Sequence, residues 1–240
     1  MVWAKRAAAF GVMAMLAMLA GPALADTLVV RASGPSARSY PPGAKLADGG
    51  SLLLKAGDVV TLLDAKGTRI LRGPGRFGVT AAASATSASN VTLAALLDTK
   101  RVRRARTGAV RGAVGEAPAA PKRPNLWLVD IAQPGTLCVA DPAAVRLWRA
   151  DAAKPISVRI SGGGAQASTS FAAGEAIAAW PAALPVKEGA TYRVEAGARS
   201  SEIRFALLGA ADAALDTTAS ALIARGCQAQ LDLLVDTAAR

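Results

Sequence analysis

The 240-residue chain has no histidine, two cysteines and few aromatic residues, and each scarcity excludes a class of functional site. Without histidine there is no Ser-His-Asp or Cys-His catalysis and no His-based metal site, and the commonest general base near pH 7 is missing. The two cysteines lie beside no other ligand candidates, which excludes a structural zinc site. The acidic residues show no D-x-D or paired-carboxylate spacing, so the sequence predicts a non-enzymatic protein without a cofactor or metal. The one kind of catalytic site that the sequence does not exclude is a site built from lysines or carboxylates that the fold brings together.

Long apolar runs are missing after residue 25. Lys5 and Arg6 precede an apolar run from Ala7 to Ala20, and Ala23-Leu24-Ala25 forms an A-x-A cleavage site before Asp26. This pattern predicts a signal peptide over residues 1–25 and a periplasmic location for the rest, with an uncleaved N-terminal anchor as the alternative. No later segment approaches the roughly 20 apolar residues of a membrane-spanning helix.

The two cysteines form an even pair in a chain that is predicted to reach an oxidising compartment. This favours a disulfide between Cys138 and Cys227. A redox role would require a C-x-x-C spacing, which is absent. In the chain-entropy model, a loop of this size contributes about 4 to 5 kcal/mol to stability.

Acidic residues are also scarce, since 17 of them stand against 28 lysines and arginines. The excess concentrates in residues 100–123, here called the basic strip, where eight basic residues accompany the single acid Glu116. Its predicted partner-binding residues are Lys100, Arg101, Arg103, Arg104, Arg106 and Arg111. Export and the lack of interleaved aromatic residues argue against nucleic acid as the partner. The strip predicts docking to a membrane sensor or other envelope protein, or to an anionic cell-wall or lipid surface; a solvated hinge is the alternative.

Between residues 41 and 80, glycines separate short runs rich in valine, leucine, isoleucine and threonine, which is typical of compact β structure. Val59–Leu63 and Thr68–Arg72 flank a glycine-containing turn and predict a hairpin. The segment from Gly73 to Gly78 matches the dinucleotide pattern G-x-G-x-x-G, but no strand-to-helix passage surrounds it. We therefore interpret it as a β-turn that exposes Arg76.

The spacing of Leu54-Lys55-Ala56-Gly57-Asp58, Gly67-Thr68-Arg69 and Gly73-Pro74-Gly75-Arg76-Phe77 resembles the periplasmic FecR-type domain of bacterial envelope signalling proteins. The resemblance covers residues 26–80 and implies a small β domain that binds and senses. Members of this family that regulate transcription contain a cytoplasmic anti-sigma segment joined to a transmembrane helix. Neither feature is found in this sequence. The resemblance thus implies a stand-alone partner of a membrane sensor.

The rest of the chain divides into a linker and a second β-rich region. Residues 81–124 predict an Ala/Ser-rich and basic linker with a short helix that starts near Thr92. Residues 125–240 predict a β-sandwich-like domain whose strand candidates recur about every ten residues. These candidates are Leu126–Ile131, Thr136–Ala140, Val145–Arg149, Ile156–Ile160, Glu175–Trp180, Thr191–Glu195 and Glu202–Leu208. Two C-terminal helices, Asp212–Arg225 and Gln228–Ala239, are expected to pack on this domain, with Gly226 as the cap between them.

Together these patterns predict a mainly β protein with two independently folding domains. The predicted function is that of a non-enzymatic periplasmic binding or sensing protein, an accessory module in an envelope signalling assembly. The alternative is a structural envelope protein that binds peptidoglycan or lipopolysaccharide through the basic strip.

Overall fold

The computed structural model describes residues 27–64, 67–79, 96–98, 123–209 and 214–239. Over these residues the chain is mainly β with two C-terminal helices, as the sequence predicts. The N-terminal unit contains β1 (Thr27–Ser33), β2 (Lys45–Leu46), β3 (Ser51–Leu54), β4 (Val59–Asp64), β5 (Gly67–Arg72) and β6 (Gly75–Gly78). The second unit contains β7 (Leu128–Asp130), β8 (Gly135–Val139), β9 (Arg146–Trp148), β10 (Ile156–Gly162), β11 (Ala165–Phe171), β12 (Ile177–Ala179), β13 (Thr191–Ala196) and β14 (Arg199–Leu207). The helices are α1 (Leu215–Ala224) and α2 (Gln228–Ala238).

The N-terminal unit is a sheet in the order β2-β1-β4-β5, packed against the two-stranded β3–β6 sheet. Val29 and Leu62 face that smaller sheet, while Leu28, Val30 and Leu63 belong to a different hydrophobic cluster. Successive side chains of a strand point to opposite faces of the sheet. β1 and β4 therefore bury side chains on both faces. This is why their sequences are continuous apolar runs rather than alternating ones.

The second unit is a β-sandwich. A five-stranded sheet in the order β11-β10-β13-β14-β8 faces a three-stranded sheet in the order β12-β9-β7, and both contribute to one core. The alternating sequence of the strands gives each sheet one buried face. In β10, Val158 and Ile160 are buried on one face while Arg159 is exposed on the other. The rings of Trp180, Tyr192 and Phe205 meet edge to face at centroid distances of 5.1 to 5.8 Å.

The two helices join the units. Leu222, Leu231 and Leu234 of the helices share one cluster with Leu28, Val30 and Leu63 of the N-terminal sheet and with Ala206 and Cys138 of the sandwich. We call this cluster the junction core. The helices pack on the second β region, as the sequence predicts, and they also cover the N-terminal sheet. That sheet therefore has the neighbour that a domain of about 55 residues needs to bury enough apolar surface.

The turn between the helices is capped as predicted and carries the disulfide. Gly226 adopts φ +69°, its N–H donates to Ile223 O, and the Cys227 N–H donates to Leu222 O, which is a Schellman motif. Cys227 is bonded to Cys138 of β8, with the two Cα atoms 5.8 Å apart, which confirms the predicted pairing. Both cysteines are fully buried in the junction core.

Some strands differ from the prediction. β2, β3, β6 and β11 are not among the predicted strands. The segment after Pro74 continues as β6, paired with β3, instead of forming a turn alone. Arg76 is exposed, as expected. Leu126 and Trp127 precede β7 because the Asn125 side chain accepts a hydrogen bond from the Trp127 N–H at 2.9 Å and turns the chain there. Of the helices within the described ranges, none has the length and apolar character to cross a bilayer.

Candidate functional site

The basic strip lies mostly outside the described residues. Its predicted partner-binding residues, Lys100, Arg101, Arg103, Arg104, Arg106 and Arg111, all fall there. Residues 96–98, just before the strip, are described and are anchored against the start of the sandwich. Leu96 is buried in the junction core and its carbonyl accepts from the Leu126 N–H, while the Trp127 indole donates to Leu97 O, each at 2.9 Å.

Arg123, the last residue of the basic strip, does not fit the prediction that the whole strip is an exposed docking segment. Its side chain is buried, with only 9% of the residue exposed. Its Nη1 donates to Leu128 O at 2.9 Å. Burial lowers the pKa of the guanidinium from its ordinary value, and the nearby charge of Asp130 opposes part of that shift. Arg123 was misassigned because a buried arginine and a surface arginine look alike in a basic run.

Arg123 forms one wall of a small cleft between the sandwich and helix α2, here called the Arg123 cleft, which has room for about one water molecule. Its polar wall also includes Asp130 and Thr136, its apolar wall includes Val129 and Ile203, and Ala229 of α2 closes one side. The turn from β7 to β8 shapes the opening. Asp130 holds that turn, since its carboxylate accepts from the Ala132 N–H at 2.9 Å and its carbonyl from the Gln133 N–H at 3.1 Å.

A second candidate surface lies on the N-terminal unit. Its described residues 27–64 and 67–79 carry seven lysines and arginines against three aspartates. Leu53 is 62% exposed on β3, directly opposite Arg76 of β6, and Lys55 is exposed just after the same strand. An exposed leucine among basic side chains suits a partner that is apolar at its centre and acidic at its rim.

One of the three aspartates of this unit, Asp58, has a structural role. Its buried carboxylate accepts from the Ser36 N–H at 2.8 Å and the Lys55 N–H at 2.5 Å, which ties two turns together. Burial alone would raise the pKa of Asp58, but these hydrogen bonds outweigh it and hold the pKa below its usual range. Gly34 makes the approach possible, because a Cβ there would lie 2.6 Å from the Asp58 carboxylate oxygen. Asp58 thus stabilises the fold of the N-terminal unit.

Two further buried polar side chains also bind backbone. The Arg149 guanidinium donates to the carbonyls of Lys154, Ala172 and Glu175 at 2.5 to 2.8 Å and lies over the Phe171 ring. Gln230 accepts from the Cys138 N–H at 2.6 Å and donates to the carbonyls of Cys138 and Leu126 at 2.8 and 2.9 Å. Both side chains are committed to backbone hydrogen bonds and are not available to a ligand. The candidate sites are therefore the Arg123 cleft and the surface formed by Leu53, Lys55 and Arg76, here called the Leu53 surface.

Across the described ranges, no group of three or more cysteine, aspartate or glutamate side chains is placed to hold a metal ion. Comparison with protein-family models, with curated proteins and with solved structures finds no match to this chain.

Proposed function

We propose that this chain is a non-catalytic periplasmic binding protein that acts as an accessory module in an envelope signalling assembly. The observation that carries the proposal is the surface around Leu53, where a large exposed apolar side chain lies beside Arg76 and Lys55. Exposed apolar surface rimmed by polar residues is a feature of protein–protein interaction sites. The partner is an envelope protein with an acidic rim.

The architecture supports this role in two ways. The FecR-like region forms a small β unit, and the junction core holds it against a sandwich, so that a contact on the unit is presented by a preorganised body. The buried Cys138–Cys227 disulfide is compatible with an extracytoplasmic protein.

The basic strip acts in the same docking event. Its charges raise the rate of encounter with an acidic partner, and the effect is screened within about 8 to 10 Å at moderate salt. The Leu53 surface supplies the short-range contact and therefore the selectivity. The basic strip therefore affects the rate of association, and the surface around Leu53 affects the rate of dissociation.

Site-specific photocrosslinking tests the docking surface. A photoreactive residue at position 53 of the full chain is expected to yield one discrete adduct with an envelope protein in living cells, and Arg76→Glu is expected to weaken it. The matched control places the same residue at Ser170, which is exposed on the edge strand β11. Absence of an adduct at 53, or the same adducts from both positions, would contradict the proposal.

Replacing Arg101, Arg103, Arg104 and Arg106 with Gln tests the strip. We expect association with the crosslinked partner to slow at low salt, with little change in melting temperature. The control removes four exposed arginines of the sandwich, Arg146, Arg159, Arg193 and Arg199, for the same change in net charge. Unchanged association would leave the strip as a solvated hinge. Sedimentation with purified sacculi or lipopolysaccharide, lost in the strip variant, would favour the structural envelope protein instead.

A further inference from the structure

Strand β11 is the outermost strand of the five-stranded sheet of the sandwich. It pairs with β10 in one antiparallel register over all seven of its residues. The loop between the two strands has two residues, so the closing pair Gly162↔Ala165 is hydrogen-bonded and every second residue of β11 bonds to β10. The residues in between, Gln166, Ser168 and Ser170, therefore direct their N–H and C=O groups away from the sheet.

These outward backbone groups form an open sheet edge. No hydrogen bond within the described part of the chain reaches them, and all three side chains are exposed. Other edges are covered or short. Gln230 binds the edge of β8, the Tyr40 hydroxyl bonds to both the N–H and the C=O of Leu53 on β3 at 2.9 and 3.3 Å, and β12 has three residues. β11 is the longest edge strand in the described ranges.

The sequence of β11 does nothing to prevent pairing at this edge. Natural edge strands are commonly protected by a charged residue, a proline or a β-bulge. β11 reads AQASTSF, without a charge or a proline, and its pairing with β10 shows no register shift. An edge of this kind accepts a further strand.

The charges around β11 favour a second copy of this chain as the source of that strand. The chain carries a formal net charge of +11, so two copies repel each other unless the surfaces that meet are close to neutral. β11 is uncharged, and on the neighbouring strands Arg159 lies 3.8 Å from Glu195 while Arg193 is directly opposite Glu202. An acidic partner finds no charge on β11 to attract it, in contrast to the Leu53 surface.

We propose that two copies of this chain pair antiparallel through β11 and form a dimer with twofold symmetry. When Ser168 lies opposite Ser168 of the second copy, Gln166 lies opposite Ser170, and all the outward groups join in three hydrogen-bonded pairs. A shift by two residues keeps only two such pairs, so the symmetric register is the favoured one. The two five-stranded sheets then form one continuous sheet.

This dimer goes beyond the proposed docking function. β11 belongs to the sandwich, whereas the Leu53 surface belongs to the N-terminal unit, so that dimerisation and partner capture can succeed or fail independently. A photoreactive residue at Ser170 is expected to join two copies of the chain. The mass of that adduct distinguishes it from the adduct expected at position 53.

Sedimentation equilibrium of the purified chain tests the dimer. Pairing over one short strand buries less than the roughly 1,200 Å² of stable complexes, so we expect a reversible dimer between about 10 µM and about 1 mM protein. A monomer throughout this range would overturn the proposal. An adduct of the residue at Ser170 with a different envelope protein, and none between copies, would also overturn it, because the strand on β11 would then come from that protein.

Charged variants at the twofold axis tie the dimer to β11. Ser168→Lys or Ser168→Glu alone places like charges opposite each other, and we expect dimerisation to weaken about tenfold or more. An equimolar mixture of the two variants should dimerise at least as well as the wild type, because opposite charges then meet. Ser168 is exposed, so we expect the melting temperature of the monomer to change little.

The matched controls are Ser200→Lys and Ser200→Glu, at an exposed position of β14 in the same sheet. They make the same changes in net charge away from the edge, and we expect wild-type dimerisation from each. Wild-type dimerisation of both Ser168 variants, or no recovery in their mixture, would overturn pairing through β11.

Discussion

Asp58 shows how a single side chain fixes the geometry of the N-terminal unit. Its carboxylate is buried, and it joins the turn at Ser36 to the turn at Lys55 through their backbone N–H groups. Loss of the negative charge weakens both hydrogen bonds, because a neutral acceptor binds an N–H less strongly than a carboxylate does. The stability of this unit is thus linked to the protonation of one residue.

We predict that Asp58→Asn lowers stability more at pH 7 than at pH 3. The pKa of Asp58 is lower in the folded protein than in the unfolded chain, so its contribution is complete above the ordinary aspartate pKa, about 3.9. That contribution is lost as the pH falls through the lower folded value. Urea unfolding across this range measures the difference between variant and wild type, with Asp48→Asn at an exposed turn position as the control. An equal loss at every pH would show that the charge of Asp58 is not what matters.

At the scale of elements, the contact between helix α2 and strand β8 depends on Gln230. β8 pairs with β14 along one edge, and at its other edge the Gln230 amide takes both the N–H and the C=O of Cys138, as a neighbouring strand would. Gln230 also binds Leu126 O, so one side chain satisfies three buried backbone groups. The helix thereby covers a sheet edge that would otherwise be open.

Gln230→Leu is predicted to cost about 3 to 5 kcal/mol, because it leaves three buried backbone groups without partners. The control Gln228→Leu, at an exposed position of the same helix, should change stability by about 0.5 kcal/mol or less. Urea unfolding of oxidised protein measures both. A Gln230→Leu midpoint close to that of the control would mean that β8 does not need the helix to complete its edge.

Elements whose apolar residues recur with a clear strand or helix period could be predicted from the sequence. Elements that form only because a neighbouring strand pairs with them could not. Val158 and Ile160 alternate with Arg159, and the two helices repeat their leucines at helical intervals, so β10, α1 and α2 were recognised. β11 has the sequence AQASTSF, with almost no apolar alternation, and is a strand because β10 pairs with it along its whole length.

The candidate sites follow the same rule. The exposure of Arg76 could be predicted because it is a local property of a turn and strand. The Arg123 cleft could not, since Arg123, Thr136 and Ala229 come together only when the helix packs on the sandwich. The disulfide was predictable because an even count of two cysteines allows one intramolecular pairing.

For the whole molecule, the junction core determines how the two units separate. We predict that trypsin cuts first in the basic strip and that the resulting fragments stay together on gel filtration, because Leu28, Val30 and Leu63 remain packed on the helices. The C-terminal fragment keeps Trp127, Trp148 and Trp180, so its fluorescence reports on the sandwich. Residues 26–80 should resist early cleavage.

A variant of the junction core sharpens this test. Val30→Asp places a charge in the core and is expected to release the fragments after nicking, whereas Leu53→Asp, at an exposed position, is not. Separate elution of the wild-type fragments would instead indicate that the two β units fold independently.

The junction core also bears on the order of events during synthesis. The first strand of the described chain meets its last helix, where Arg31 Nε of β1 lies 2.9 Å from the Asp232 carboxylate of α2. β5 of the same sheet also contacts α2, because the Thr68 hydroxyl donates to Val235 O. A ribosome makes β1 before α2, so the N-terminal sheet leaves it with one apolar face uncovered. Contacts across about 200 residues form slowly, because a long loop must close before they contribute. We therefore expect chaperones to bind the uncovered apolar face of the nascent N-terminal sheet until α2 has been made.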